Sequence, residues 1–233
     1  MNRYLLLILF ASFCFILNSK YESPKCKIID NIRLNKKELE KASEINYKLL
    51  KELYFLPRLK NEDIHFCNEY IFIKELNGSK VIALDTEGGR PEEIPDIFIF
   101  DINQFIPLEV KERYEACYEL GSFKESPIEH IQMMVNKSLK LPSKYFQTEK
   151  GLRLGTNVNE VLKLYGKPDL IEIISFKKKI LKFKWEVYGS EYFDYFKIIP
   201  TDLICPKIYT RYKLYITFID GKVSVINIGY APL

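Results

Sequence analysis

From Asn35 to Tyr54, and on to Leu56, apolar residues fall three and four apart: Leu39, Ala42, Ile45, Leu49, Leu53 and Leu56, with Lys and Glu between them. That spacing predicts an amphipathic helix. Asn35 suits its N-cap, Glu38 stands at the capping-box position, and Pro57 ends the pattern. The period then changes. Tyr70–Leu76 and Ser79–Asp85 flank Asn77-Gly78, a strong two-residue hairpin signal. The predicted register sets Glu75 across from Lys80, Ile73 across from Ile82 and Ile71 across from Leu84, so the apolar residues share one face. Ile97–Ile102 reads as a buried strand. Pro107–Leu120 reads as a helix ended by Gly121, and Ser126-Pro127-Ile128-Glu129 opens another, with Ile128, Ile131, Val135 and Leu139 inward.

Tyr145–Gly155 divides the chain into residues 20–147 and 148–233. In the second part Thr156 or Asn157 caps a short helix whose apolar face is Val158, Val161, Leu162 and Tyr165. Gly166 and Pro168 stop it. Strands follow at Leu170–Ile174 and Ile180–Val187, the latter with Leu181, Phe183, Trp185 and Val187 on one face. A hairpin around Asp220-Gly221 closes the chain, predicted to set Phe218 across from Val223 and Ile216 across from Val225. The sum is an α+β fold: antiparallel sheets with packed helices, and a C-terminal module of one helix and at least four strands.

The N-terminus changes the picture of where this fold works. Arg3 precedes an almost unbroken apolar run from Tyr4 to Leu17, and polar residues return at Asn18. This is the layout of a secretory signal peptide over residues 1–19, and the run is shorter than the ~20 residues of a membrane-spanning helix. Export to the periplasm, cell envelope or extracellular space is the expectation. Removing Cys14 with the leader leaves Cys26, Cys67, Cys117 and Cys205 as disulfide candidates, and four cysteines allow three pairings. Four buried free thiols are the alternative.

The chain is 47% hydrophobic and 28% charged, enough to bury a core. Its +4 net charge comes from 35 basic and 31 acidic residues, mixed along the chain, which argues against nucleic acid as a partner.

A family likeness lies in the second part: Thr148, Gly151-Leu152-Arg153-Leu154-Gly155-Thr156, Glu160-Val161, Tyr165-Gly166-Lys167-Pro168 and the hairpin through Tyr215–Phe218 and Asp220-Gly221-Lys222-Val223. Thr148–Ile228 resembles the SmpA/BamE outer-membrane assembly lipoprotein domain and, more loosely, the β-lactamase inhibitor protein fold. The resemblance implies a small envelope or secreted α+β module that binds other proteins. The chain departs from that pattern at Cys14, which follows Phe13 rather than the small residue lipidation needs, and at Gly189–Arg211, an insertion between strands.

Few residues announce chemistry. His65 and His130 stand in different elements, without the companions of a triad or zinc site. The acidic stretch from Asp85 through Glu87 to Glu92 and Glu93 lacks calcium-loop spacing. No cofactor is called for. Lys177-Lys178-Lys179 with Lys182 and Lys184 is a basic cluster that suits a solvated face or peripheral attraction to a membrane. The densest aromatic stretch, with Tyr188, Tyr192, Phe193, Tyr195 and Phe196, is the candidate interaction surface, since aromatics concentrate at binding hot spots. The expected function is therefore that of an exported, non-catalytic protein acting on another envelope or secreted protein by contact. Two alternatives stand beside it: a secreted hydrolase using carboxylates such as Asp85, Glu87 and Asp96, and a module binding lipid or glycan surfaces.

Overall fold

The computed structural model describes residues 30, 32–53, 70–85, 96–119, 123–189 and 210–232. Four α-helices occur among them: α1 (Lys36–Leu53), α2 (Leu108–Glu119), α3 (Pro127–Lys137) and α4 (Val158–Tyr165). The strands are β1 (Tyr70–Glu75), β2 (Lys80–Asp85), β3 (Asp96–Asp101), β4 (Leu139–Leu141), β5 (Leu170–Ser175), β6 (Ile180–Gly189), β7 (Thr210–Ile219) and β8 (Lys222–Pro232). They form one eight-stranded sheet in the order β4-β1-β2-β3-β8-β7-β6-β5. The fold is α+β. The pairing of β3 with β8, Ile99 opposite Ile226, carries the sheet across the division between residues 147 and 148.

Local chemistry sets the helix ends. The Asn35 side chain accepts from the N–H of Lys37 (3.0 Å), and Glu38 reaches back to the N–H of Asn35 at 2.9 Å. Ser126 and Glu129 form a reciprocal capping box at α3, and Asn157 accepts from the N–H of Glu160 at 3.0 Å at α4. Each bond satisfies an N–H that the first helical turn leaves without an intrahelical partner.

Both faces of the sheet are packed. One carries Ile73, Ile82, Ile99, Trp185, Ile216 and Phe218, covered by the first half of α1 and by Val161 and Tyr165 of α4. The other carries Phe72, Phe98, Phe100 and Val225, covered by Val110 and Tyr114 of α2 and by Ile131 and Val135 of α3. Trp185 is 1% exposed and belongs to the core.

The β1–β2 register is the predicted one, Ile71 with Leu84 and Ile73 with Ile82. The second hairpin departs from expectation. Asp220 and Gly221 both have positive φ, +50° and +75°, the turn that matches strand twist, and Phe218 pairs with Val223. A bulge then intervenes, and Ile216 meets Ile226 instead of Val225. The extra residue turns Val225 to the α2–α3 face and Ile226 to the α4 face, a swap that strict alternation does not foresee. In α3, Ile128 is 43% exposed and His130 is buried in its place, between Phe123 and Tyr114. Leu139 sits in β4, which pairs parallel with β1, where the sequence suggested only the end of a helix.

Candidate functional site

The sheet ends in two unlike edges. β4 is three residues long and is met by α1. β5 is six residues long and has no outer neighbour among the described residues. Its apolar side chains are open: Leu170, Ile171, Ile173 and Ile174 are each 50–55% exposed, and Phe176, just beyond, is 81% exposed. Isolated exposed leucines are ordinary, but four large apolar residues along one free strand, with a fifth just beyond it, are not. An edge strand also offers a row of N–H and C=O groups for pairing.

The local sequence explains why this edge is apolar. Ile171 lies opposite Phe183 and Ile173 opposite Leu181, so both continue the core layer that Trp185 and Phe183 begin. Tyr165 of α4 reaches Trp185, with ring centroids 5.7 Å apart, and the covering layer does not bury β5. On the opposite face, Leu170 and Glu172 lie across from Lys184 and Lys182. The Glu172 carboxylate is bound by Lys184, and Lys182 by Glu109 of α2 at 3.0 Å. Lys182, Lys184 and Lys213 also gather around the Tyr215 ring, 5.1–5.8 Å from its centroid. Of the predicted basic cluster, then, Lys182 and Lys184 are committed to carboxylates and only Lys177, Lys178 and Lys179 stand exposed.

A second feature is a cleft of about 440 Å³ between α2 and the sheet, lined among others by Asp85, Asp96, Glu109, Arg113, Lys213 and Asn227. Two of the carboxylates named in the sequence meet here. Leu84 and Ile97 are paired on antiparallel strands, and Asp85 follows the one as Asp96 precedes the other, so the two carboxylates stand at the same end. Asp96 receives Lys213 Nζ at 2.8 Å and Asn227 Nδ2 at 3.1 Å, while Arg113 stands 3.9 Å from Asp85. Burial raises the Asp96 carboxyl above its ordinary range, against the pull of Lys213. In Glu109 burial acts in the same direction, but backbone and Lys182 bonds outweigh it and the group is lowered.

The other sequence candidates separate. Tyr188 is in β6 opposite Arg211. Tyr192, Phe193, Tyr195 and Phe196 lie outside the described residues, as do Glu87, His65, Cys26, Cys67 and Cys205. Cys117, buried in α2, is disulfide-bonded, which corrects the free-thiol alternative at that position. His130 is fully buried. Among the described residues no group of His, Cys, Asp and Glu could hold a metal ion, and no helix is long and apolar enough to cross a membrane. The β5 edge was legible as a strand but not as a surface, because a run such as Leu-Ile-Glu-Ile-Ile reads equally well as buried. Comparison with protein-family models, curated proteins and solved structures finds no match.

Proposed function

We propose that this is an exported, non-catalytic protein of the cell envelope or extracellular space, and that it works by receiving an extended segment of another protein along β5. The observation that carries this reading is the free strand with four open apolar side chains and Phe176 just beyond it. Strand addition satisfies the outer backbone groups of such an edge and covers its side chains on both faces. Burying one half-exposed isoleucine contributes about 1 kcal/mol by area, so the row supports a specific contact. The leader-like N-terminus and the disulfide at Cys117 support an oxidising destination, where such bonds persist. The resemblance of Thr148–Ile228 to envelope binding modules points the same way.

The test is a fractionation with mass spectrometry of the purified product. The reading expects a chain lacking roughly the first 19 residues, the length of the leader-like segment, in the envelope or secreted fraction. It also expects the Ile171→Thr/Ile173→Thr variant to reach that fraction folded but without its partner. Full-length protein in the cytosol would contradict it.

The cleft favours a second reading, a secreted hydrolase, because it brings Asp85 and Asp96 together. Against it, both oxygens of Asp96 are already engaged, by Lys213 and Asn227. Hydrolysis of a glycan or ester panel that is lost in Asp96→Asn would establish that reading.

A further inference from the structure

We infer that the segment received at β5 is acidic as well as apolar: an extended stretch with a run of carboxylates ahead of alternating apolar residues. This rests on the reading of β5 as the docking edge and adds the chemistry of the occupant.

The inference comes from which charges around β5 are spent and which are left. Asp169, just before the strand, accepts the N–H of Glu186 at 2.9 Å through Oδ2. Glu172, the one charge within the strand, is bound by Lys184. The basic residues at the ends are different. Lys167 on one side and Lys177, Lys178 and Lys179 on the other are exposed, and none forms an ion pair among the described residues. The edge therefore presents an apolar centre with a positive end at Phe176–Lys179, the turn into β6, while at the other end Lys167 stands two residues from Asp169. These lysines lie beyond the paired stretch, so they leave the strand itself open to addition, whereas lysines on an edge strand block it.

A second copy of this chain is a poor occupant, because its own β5 carries a single carboxylate, Glu172, already bound by Lys184. A partner segment with carboxylates beside the Lys177–Lys179 turn gains attraction within the ~10 Å over which charges act at moderate salt. In antiparallel addition, residues that precede the partner's apolar stretch run past the turn that carries Lys177–Lys179. Complementary charge fixes register and speeds association, and the apolar row holds the complex.

The experiment uses the isotope-labelled mature chain, two synthetic peptides and backbone amide spectra, which register weak binding. The first peptide is three glutamates followed by alternating valine and threonine; the second replaces the glutamates with lysines. The acidic peptide is expected to shift the amides of Leu170–Phe176, to bind about ten-fold more tightly than the basic one, and to weaken as salt rises. Lys177→Glu/Lys178→Glu is expected to abolish the preference while leaving the melting temperature in place. Equal binding of both peptides at β5 would overturn the acidic partner and leave the docking edge standing. A dimer trapped through Ile173→Cys would make a second copy the occupant and overturn the inference. Shifts of β5 amides by neither peptide, in a chain that sediments as a monomer, would overturn both the inference and the reading beneath it.

Discussion

The phenol of Tyr165 donates a hydrogen bond to the carboxylate of Asp30, a residue 135 positions earlier in the chain, and both groups are buried. The bond fastens the start of the described chain to α4. Asp30 also accepts the N–H of Lys150 at 3.1 Å, and Thr148 lies 3.5 Å from the same phenol. Burial and the neighbouring carboxylate together push the Tyr165 hydroxyl far above its ordinary range, so it remains a donor at every working pH.

Removing that donor tests the relationship. Tyr165→Phe keeps the ring against Trp185 and takes away only the hydroxyl. The Asp30 carboxylate then stays buried with one partner fewer, at a cost of about 1–3 kcal/mol. Chemical denaturation of the two proteins measures it. An unchanged midpoint would show that the bond contributes nothing.

Gly78 carries a second prediction. A Cβ there would stand 2.0 Å from Glu75 Oε2, in the loop between β1 and β2. Glu75 cannot yield freely: it binds Lys80 at 3.0 Å and accepts from Ser143 Oγ. Gly78→Ala therefore displaces a carboxylate that ties the hairpin to the segment after β4, and is expected to destabilise by about 1–2 kcal/mol. Burial pushes the Glu75 carboxyl up, and the bonds from Ser143 and Lys80 more than offset this, so it titrates below 4.5. Its contribution is present above pH 4.5 and is lost as pH falls through the lowered value. Glu75→Gln is expected to flatten the acid limb of stability against pH, read by thermal melts from pH 6 to 3.

His130 gives a prediction in a different window. It is fully buried, stacked on Phe123 with ring centroids 3.8 Å apart. Burial lowers its proton affinity, and Glu125, 3.9 Å away, opposes that without reversing it. The unfolded chain takes up a proton near pH 6.5 and the folded one only lower. Stability is therefore expected to fall as pH drops below 6.5, until the folded histidine also titrates. In His130→Phe that part of the slope is expected to vanish, whatever the variant's absolute stability. Retention of the slope would assign it to another group.

The caps at Asn35 and Ser126 are legible because they depend on residues within one turn; at α4 the sequence leaves Thr156 or Asn157, and the cap is Asn157. The β1–β2 register was legible because turn and alternation agree. The buried face of α3 departs from the sequence pattern at Ile128, since burial there is decided by Phe123 and Tyr114, which belong to other segments. The exchange of Val225 and Ile226 was not legible because a bulge alters alternation without leaving a residue signature. The open edge at β5 was the hardest to see. Whether Ile171 and Ile173 are covered depends on how far α4 reaches across the sheet, and no local pattern encodes that distance. The Asp30–Tyr165 contact was invisible for the same reason.

Contact with a partner along β5 is read by placing a photo-crosslinking residue at Ile173 in the full chain, in living cells, beside a control at the exposed Tyr47 on α1. A covalent adduct with one exported protein is expected at Ile173, absent at Tyr47 and weakened by Lys177→Glu/Lys178→Glu. An adduct at Tyr47 with none at Ile173 would rule out β5 as the docking edge.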